Sequence, residues 1–328
     1  MSSLRILTGI TPSGTPHIGN YIGAIKPSVA SQTGNSLYFI ADYHSLVKLQ
    51  DPKVRQQYIY EIAASWLALG LDPSKTIFYR QSGVPEITEL AWILSTVAGK
   101  GLLNRAHAYK DVVAKNMQEN LDPDAGISMG LFCYPVLMSA DILAFNAHQV
   151  PVGKDQVQHI EIARDIAARF NHIYGEVFVL PAAQVDEQSH TLPGLDGRKM
   201  SKSYGNTIPL FAPSKQLRKS VMQIVTNSQL PEEPKDPTGC TVFQLYRAFA
   251  TPEQVAALAQ RYATGIGWGE AKQQLFELLD ALLTEPRQQY DALMADTRQI
   301  DLILQQGAER ARAVARPILQ QVRQAVGL

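Results

Sequence analysis

Short apolar runs alternate with longer stretches of helical spacing through the first two-thirds of the chain. The runs at residues 4–8, 36–41 and 76–80 have the length and β-rich composition of buried strands. Between the second and third runs, residues 52–70 carry apolar side chains at helical spacing and end on a glycine, which is a typical helix stop. Strands joined through helices in this way predict βαβ crossovers and a parallel sheet.

The same alternation continues to about residue 200. The elements that it predicts are, in chain order, helices at residues 86–98 and 136–145, a strand end at residues 150–153, a helix from 154 to about 170, a strand at residues 176–180 and a polar loop at residues 186–198. Together they extend the predicted α/β domain.

After about residue 213 helices dominate the pattern. The sequence Thr-Pro-Glu-Gln from Thr251 is a capping box with proline at the first helical position, and residues 269–283 are strongly amphipathic. Residues 307–327 include Pro317, which is expected to kink or break a helix. That stretch has one acid and four arginines, Arg310, Arg312, Arg316 and Arg323.

The pattern therefore predicts an α/β chain of two domains. Residues 1–208 would form a Rossmann-like parallel-sheet catalytic domain with a helical insertion around residues 46–125. Residues 209–328 would form a C-terminal α-helical domain, since alternating strand and helix patterns give way to helical patterns near residues 204–212.

Composition narrows the class of protein. Thirty basic and thirty acidic residues balance, so any nucleic-acid surface must be a local patch. Cys133 and Cys240 lie far apart without a Cys-x-x-Cys motif, which argues against a disulfide framework or a zinc site. The chain passes from its first residues straight into a strand pattern, and its most apolar stretch, residues 130–145, is too short to span a bilayer. We expect a cytoplasmic enzyme with no membrane partner.

Two short segments carry the candidate chemistry. Residues 12–20, Pro-Ser-Gly-Thr-Pro-His-Ile-Gly-Asn, lie between a strand and a helix, where an open α/β sheet holds a nucleotide. Residues 199–203, Lys-Met-Ser-Lys-Ser, place two ammonium groups three residues apart, which suits a leaving pyrophosphate. The chain has neither a Walker sequence nor a Gly-x-Gly-x-x-Gly motif. Taken alone, the first segment could be a structural turn and the second a pair of solvated lysines.

Together and in this order, the two segments resemble the HIGH and KMSKS signatures of class I aminoacyl-tRNA synthetases. Residues 134–143 resemble the tryptophan-recognition helix of bacterial tryptophanyl-tRNA synthetases, and residues 150–159 resemble the segment that follows it. Residues 9–14 and 19–24 match the first turn of that family, and residues 307–328 are similar to its closing helix. The resemblance covers essentially the whole chain.

The resemblance implies a catalytic domain of the class I synthetase HUP type. In the implied reaction, L-tryptophan and ATP form tryptophanyl-adenylate and pyrophosphate. Tryptophan is then transferred to the 3′ end of tRNA(Trp). Magnesium would be carried by ATP, with no dedicated protein ligands. The arginine-bearing helical half would bind the tRNA anticodon arm, no DNA partner is expected, and a homodimer would form through residues around 86–103.

One residue supports tryptophan on physical grounds. Asp141 lies in an otherwise apolar helix, where a carboxylate is costly without a partner. The indole N–H is only a donor and a carboxylate is an acceptor, so apolar walls with one carboxylate suit tryptophan. Alternatively, Asp141 pairs with a buried arginine, lysine or helix N-terminus.

The resemblance also implies individual roles. The catalytic residues would be Lys199, Lys202 and Lys110. The ATP-binding residues would be Thr11, Ser13, His17, Gly19, Asn20, Gly153, Asp155, Lys199, Met200, Ser201 and Lys202. The tryptophan-binding residues would be Asp141, Tyr134, Met138, Ile142, Gln156, Val152, His44 and Gly9. The chain departs from the commoner bacterial pattern at Thr11, His17, Tyr43, Lys154 and Tyr204. The alternative for Lys110 is a surface lysine, and Met138 could equally be a plain core residue.

Three other functions stay open at this point. A tyrosine-specific synthetase would use Asp141 for a phenol hydroxyl. A nucleotidyltransferase would share the first turn but would not need the helical half, so its chemistry should survive deletion of residues 213–328. A synthetase-like protein kept for RNA binding or regulation would not need Lys199, Lys202 and Asp141.

Overall fold

The computed structural model describes residues 4–185 and 191–328, apart from the side chain of Asp155. The described residues contain a five-stranded sheet in which every pairing is parallel. Its strands stand in the order β3-β2-β1-β4-β5 and are β1 (Ile6–Ile10), β2 (Ser36–Ile40), β3 (Ile77–Arg80), β4 (Gln149–Val152) and β5 (Ala182–Val185). The order reverses beside β1, which confirms the predicted Rossmann-like arrangement.

Helices cover the sheet and are joined by turns and loops. They are α1 (Ile18–Asn20), α2 (Lys26–Ala30), α3 (Asp42–Ser45), α4 (Pro52–Ala68), α5 (Glu86–Val97), α6 (Lys100–Leu103), α7 (His107–Gln118), α8 (Met129–Leu143), α9 (Val157–Tyr174), α10 (Ser214–Met222), α11 (Thr241–Phe249), α12 (Pro252–Thr264), α13 (Trp268–Ala295) and α14 (Thr297–Val326). A π-helical turn joins α1 to α2, and a 3-10 turn, Lys154–Gln156, precedes α9.

The strand predicted at residues 176–180 is wrong, since the fifth strand is Ala182–Val185. The reason is the side chain of Asn171 at the end of α9. Its Oδ1 accepts from the backbone N–H groups of Val177 and Phe178, and its Nδ2 donates to the Phe178 carbonyl. These backbone groups are therefore unavailable to a neighbouring strand.

Two predictions about helices near prolines also need correction. The helix predicted at residues 136–145 begins seven residues earlier, because Ser128 caps it by accepting from the Leu131 N–H group. Pro135 lies inside this helix. Likewise, α14 is not broken at Pro317 but continues to Val326.

The region around residues 46–125 is not a purely helical insertion. It contains β3, the edge strand of the sheet, and only α5, α6 and α7 follow that strand before α8. The predicted polar loop at residues 186–198 lies partly outside the described residues.

Two hydrophobic cores share the sheet. One lies among the sheet, α5, α8 and α9, and the other lies among the sheet, α4 and the helices after residue 213. Helix α14 belongs to both, since Leu304 packs in the second core and Ala311 in the first. The helical half therefore shares its core with the sheet, although the division at residue 208 stays a prediction.

The contact between α14 and β3 requires a glycine. A Cβ atom on Gly307 would lie 1.7 Å from the carbonyl oxygen of Phe78, which no real side chain tolerates. Gly307 thus lets the helix backbone press directly against the edge strand.

Candidate active site

The first turn follows β1 and leads into α1. Gly14 has a φ of +127°, a backbone conformation that L side chains rarely adopt. The backbone N–H of His17 donates to Asn20 Oδ1 at 3.0 Å, so Asn20 fixes the start of the helix. A Cβ on Gly19 would lie 2.9 Å from His17 Nδ1, so that glycine leaves space for the imidazole. Thr11 and Ser13 are exposed on this turn.

The lysine loop lies directly against the first turn. Lys202 Nζ donates to the carbonyl oxygen of Gly14 at 2.6 Å, across 188 residues of sequence. The backbone supports the same approach, because the Ile18 N–H donates to the Ile208 carbonyl and the Leu210 N–H to the Pro16 carbonyl. The structure therefore brings together the two segments that the sequence singled out.

Burial, together with the nearby Lys202 ammonium, sets the charge state of His17. The imidazole is 7% exposed, and its pKa falls to about 4 because burial disfavours the cation and the Lys202 ammonium opposes a second positive charge. His17 is consequently neutral at physiological pH and can offer hydrogen bonds without adding charge. Burial also lowers the pKa of Lys202, although the Glu61 carboxylate opposes that change.

Asn206 holds the lysine loop in shape. Its Oδ1 accepts from the Ser201 N–H at 2.8 Å, and its Nδ2 donates to the Lys199 carbonyl at 3.1 Å and to Asp196 Oδ1 at 2.7 Å. Asn206 is 3% exposed, and a Cβ on Gly194 would lie 2.4 Å from it. Asn206 belongs to neither motif, and its only signal in the sequence is its position three residues after the lysine loop.

The departure at Tyr204 has a local explanation. The guanidinium carbon of Arg198 lies 4.5 Å from the centroid of the Tyr204 ring, and Arg198 also pairs with Asp196 at 2.6 Å. Tyr204 thus contacts Arg198, which lies in the same turn as Asp196, the carboxylate that Asn206 binds. Lys199 and Lys202 are both exposed as whole residues, whereas Met200 is buried beside Gly19.

A cavity of about 390 Å³ opens beside α8. Its lining includes two of the predicted tryptophan-binding residues, His44 and Tyr134. The full lining is Tyr43, His44, Leu46, Val47, Thr88, Ser128, Gly130, Cys133, Tyr134 and Leu137. Gly130, Cys133, Tyr134 and Leu137 follow one face of the N-terminal half of α8, and this face forms a wall of the cavity beside the capping residue Ser128.

Other predicted pocket residues lie elsewhere. Ile142 is 1% exposed and belongs to the hydrophobic core, against which Met138 and Val152 pack with partial exposure. A Cβ on Gly9 would lie 2.5 Å from the Phe39 ring, so this glycine makes room for a neighbouring aromatic side chain. These four residues are not in the lining of the 390 Å³ cavity.

Asp141 is fully buried and has two partners. Its Oδ2 lies 2.8 Å from His44 Nε2, and its Oδ1 accepts from Gln81 Nε2 at 2.7 Å. Gln81 in turn accepts from the Tyr43 N–H at 3.0 Å. Burial raises the pKa of Asp141, while the bonds from His44 and Gln81 oppose that rise. The partners are therefore His44 and Gln81 rather than an arginine, a lysine or a helix N-terminus.

Gln81 is a site residue that no sequence motif indicates. It is fully buried directly after β3, and it links Asp141 on α8 to the backbone of α3, which carries His44. A polar residue after a predicted strand was the only signal for it, and nothing in the sequence pairs residue 81 with residue 141.

Tyr134 and Gln156 meet through a histidine. The Tyr134 hydroxyl lies 2.5 Å from His159 Nε2, and His159 Nδ1 lies 2.8 Å from Gln156 Oε1. His159 is 5% exposed on the first turn of α9. His159 is the last residue of the family-like segment 150–159, and the resemblance implied no role for it.

The remaining ATP-binding candidates stand at the same edge of the sheet. Gly153 is exposed directly after β4, and β4 pairs in parallel with β1, so Gly153 and the first turn both lie at the carboxyl edge of the sheet. The side chain of Asp155 lies outside the described part of the structure. Among the described residues, no group of three or more histidine, cysteine or acidic side chains could hold a metal ion.

Comparison with known proteins decides the family. Residues 1–284 match the model of the class I tRNA synthetases (W and Y). The chain is 61% identical to the tryptophan–tRNA ligase of Xanthomonas campestris, over 99% of this chain and 76% of that protein. It is 54% identical to the enzyme of the same name from Neisseria meningitidis, over 100% of this chain and 99% of that protein. The tryptophanyl-tRNA synthetase of Campylobacter jejuni, solved with ADP and tryptophan, matches with a TM-score of 0.90 and 45% identity over 99% of this chain and 100% of that chain.

The chain belongs to the tryptophan–tRNA ligases.

The predicted family, its class I fold and its activity are thus confirmed. The nucleotidyltransferase alternative falls with this finding. Deletion of residues 213–328 is also not a usable test of that alternative. These residues form part of both hydrophobic cores that pack on the sheet. No helix among the described residues is long and apolar enough to cross a membrane.

Lys110 stands apart from the other catalytic candidates. It is exposed on α7, and no contact among the described residues joins it to the first turn or to the lysine loop. The neighbouring Tyr109 ties α7 to its surroundings through a bond to Asp124 at 2.9 Å and a ring contact with Phe132.

The arginines of α14 make contacts within this ligase. Arg312 and Arg316 both donate to Glu86 at 3.0 Å, and Arg323 pairs with Glu89. Arg310 donates to the carbonyl of Pro73 at 2.7 Å. These side chains therefore dock α14 on α5 and on the segment before β3, and their role toward tRNA stays a prediction.

Proposed function

We propose that tryptophan is activated by ATP in the crevice between the first turn, the lysine loop and the cavity beside α8. The observation that carries this proposal is the bond from Lys202 Nζ to the Gly14 carbonyl. It joins both nucleotide-binding segments at the carboxyl end of β1, where open α/β sheets bind ligands. The Campylobacter jejuni relative, which was solved with ADP and tryptophan, supports the same substrates here.

In the first step, a carboxylate oxygen of tryptophan attacks the α-phosphorus of ATP in line, and the bond to the pyrophosphate oxygen breaks. The substrate supplies the nucleophile, so the protein needs no nucleophilic side chain. Lys199 and Lys202 neutralise the negative charge that grows on the leaving pyrophosphate. Magnesium carried by ATP would supply further neutralisation.

Lys202 must change partner during this step. Its ammonium now donates to a backbone carbonyl, and a phosphate oxygen is the stronger acceptor because it is charged. Asn206 keeps the rest of the loop in register while the lysine side chain turns. Neutral His17 adds a hydrogen bond near the phosphates, together with Asn20 and the N-terminus of α1.

Tryptophan binds with its indole in the cavity and its α-ammonium group at Tyr134 and Gln156. His44 lines the cavity, and the buried Asp141 behind it, 2.8 Å from His44 Nε2, completes the polar side of the indole site. Two of the roughly four lone-pair positions of the carboxylate are occupied, which leaves acceptor capacity for the indole N–H. Phenylalanine has no such donor and would leave that capacity unused.

In the second step, the 2′-hydroxyl of the terminal adenosine of tRNA(Trp) attacks the tryptophanyl-adenylate, and AMP leaves. The helical half after residue 208 would hold the anticodon arm. Gly153, Asp155, Thr11 and Ser13 would hold the adenosine, and Lys110 would reach the phosphates. We place this reaction in the cytoplasm.

A homodimer is part of the proposal. Trp92 in α5 is 74% exposed and Met129 at the start of α8 is 70% exposed. Burial of exposed apolar surface favours association, and Trp92 lies in the predicted interface around residues 86–103. Light scattering at micromolar concentration should give twice the chain mass, and Trp92→Asp should give the monomer mass.

The test of the function is ATP–pyrophosphate exchange with each of the twenty amino acids. Exchange with tryptophan alone is expected. Exchange with tyrosine would instead assign Asp141 to a phenol hydroxyl. No exchange with any amino acid, with or without tRNA, would contradict the catalytic proposal and favour a binding role.

A further inference from the structure

Asp42 joins the two segments that supply the partners of Asp141. It is the first residue of α3, two residues before His44, and its side chain is buried. Its Oδ1 accepts from the Ser82 N–H at 3.0 Å, and its Oδ2 accepts from the Ser82 hydroxyl at 2.5 Å. Ser82 directly follows Gln81 in the short 3-10 turn after β3, so these two bonds tie that turn to the start of α3.

Arg80 lies on the other side of Asp42, at the end of β3. Its Nε is 4.0 Å from Asp42 Oδ2, and its Nη2 is 3.7 Å from Asp301 Oδ1 on α14. Both nitrogens are buried, and within the described part of the chain neither has a hydrogen-bond partner. The guanidinium is therefore held between two carboxylates by charge rather than by directed bonds, and it links α3 to α14.

Two further contacts support this arrangement from behind. Asp301 Oδ2 accepts from the Tyr60 hydroxyl of α4 at 2.9 Å. A Cβ on Gly83, the last residue of the 3-10 turn, would lie 2.9 Å from the Ala308 methyl group, so α14 packs closely against the turn. We call the four side chains that make these ionic and polar contacts the Asp42 clamp: Asp42, Arg80, Ser82 and Asp301.

The clamp sets the distance between the two partners of Asp141. His44 meets its Oδ2 from α3 at 2.8 Å, and Gln81 meets its Oδ1 from the 3-10 turn at 2.7 Å. A hydrogen bond weakens steeply when its geometry departs from the optimum, so both contacts require α3 and the turn to keep a fixed separation. The orientation of the buried carboxylate therefore depends on the clamp.

We infer that Arg80 and Ser82 are positioning residues that act through Asp42 and determine specificity for the indole N–H group. Neither lines the 390 Å³ cavity, and they act by holding the partners of the buried carboxylate in place. This inference rests on the proposed function, in which the indole N–H donates to Asp141.

The test compares two ligands that differ at one ring position. β-(3-Benzothienyl)alanine has sulfur in place of the indole N–H of L-tryptophan, so it cannot donate to a carboxylate. Ser82→Ala removes the hydroxyl bond to Asp42 and leaves the backbone bond. We expect the Kd of tryptophan to rise about 10-fold, the scale of one hydrogen bond to a charged group. The Kd of benzothienylalanine should stay within a factor of two.

Substitutions of Arg80 give a graded version of the same test. Arg80→Met keeps most of the stem without its charge and should raise the Kd of tryptophan about threefold, since ion pairs of this length contribute less than a hydrogen bond to a charged group. Because the guanidinium acts by charge, Arg80→Lys should restore most of the affinity. If Arg80→Lys binds tryptophan no better than Arg80→Met, the cation does not hold Asp42, and the role of Arg80 is wrong.

Matched controls come from α10 and α13. Ser214 donates its hydroxyl to Asp280 at 2.8 Å, and Arg287 pairs with the same carboxylate at 3.0 Å. This cluster lies in the helical half and does not line the cavity. Ser214→Ala and Arg287→Met should leave the Kd of both ligands unchanged, and a loss of tryptophan preference equal to that of Ser82→Ala would overturn the inference.

Failure of the inference and failure of the proposed function give different results. If the wild type prefers tryptophan and both Ser82→Ala and Arg80→Met keep that preference, the inference is wrong and the site stands. If Ser82→Ala weakens both ligands equally, its role is only structural, and the inference is again wrong. If the wild type binds both ligands equally well, the indole N–H has no carboxylate partner, and the inference and the proposed role of Asp141 are both wrong.

Discussion

Replacement of Gln81 by methionine tests how the buried carboxylate is held. Methionine has nearly the length and volume of glutamine, so the fully buried site keeps its packing. The substitution removes the amide donor that lies 2.7 Å from Asp141 Oδ1. It also removes the acceptor for the Tyr43 N–H group, but that N–H retains Asp42 Oδ1 at 3.1 Å. The loss therefore falls mainly on Asp141.

The magnitude follows from these contacts. A hydrogen bond to a charged group contributes roughly 1.5–3 kcal/mol, and Asp141, with no exposed surface, cannot replace the lost donor with water. We expect Gln81→Met to lower the free energy of unfolding by about 2 kcal/mol. The same loss raises the pKa of Asp141 further, because one donor that favours the carboxylate is gone. As the pH is lowered, Asp141 should therefore become protonated at a higher pH in the variant than in the wild type. The loss of tryptophan affinity should begin at that higher pH.

The assays are urea unfolding and the KM for tryptophan in pyrophosphate exchange between pH 5 and 8. Gln57→Met is the matched control, since Gln57 also donates its amide to a carboxylate at 2.7 Å, that of Glu61, outside the tryptophan cavity. The control should leave the KM for tryptophan unchanged at every pH. If Gln81→Met has the same stability and the same KM profile as the wild type, the bond from Gln81 does not hold the Asp141 carboxylate, and the prediction is wrong.

Three further predictions follow from the nucleotide side of the site and from α14. Lys202→Ala should lower the exchange rate at least 100-fold while the dissociation constant of tryptophan changes less than threefold, and an unchanged rate would remove Lys202 from catalysis. Because the pKa of His17 is about 4 in the folded chain and 6.5 when unperturbed, its neutral form stabilises the fold above pH 6.5, and this stability is lost as the pH falls toward 4. Between pH 6.5 and 4, His17→Gln should reduce the loss of unfolding free energy, measured with urea, by up to ~3 kcal/mol. The same loss in variant and wild type would show that His17 titrates normally. Gly307→Ala should destabilise the chain by more than 3 kcal/mol in the same assay, since a Cβ there would lie 1.7 Å from the Phe78 carbonyl, whereas Gly269→Ala, with open space at its Cβ, should cost nothing; equal stability of the two would refute the close contact.

The sequence predicts the elements that local pattern controls. The strands β1, β2 and β3 and the helix α4 follow from apolar period and from helix stops such as Gly70. The wrong strand at residues 176–180 has the composition of a strand, but Asn171 takes its backbone hydrogen bonds. That competition depends on where α9 ends in space, which no local pattern records.

The site was predictable where residues are close in sequence and less so where they converge. The segments around His17 and Lys202 could be named from their motifs, but the bond from Lys202 to Gly14 could not. Asp141 was recognised as a carboxylate in need of a partner. Its partners, His44 and Gln81, lie 97 and 60 residues away in the chain. No local sequence pattern indicates which residues at such distances will meet.

The contact of Gly307 with Phe78 has a consequence for synthesis of the chain. Strand β3 is complete by residue 80, but the helix that presses on it follows more than two hundred residues later. At roughly 5–20 residues per second, that edge of the sheet stays bare on the ribosome for more than ten seconds. An unpaired strand edge readily recruits a strand from another chain. Chaperone cover during translation is therefore most needed at this edge, where the nascent chain waits for α14.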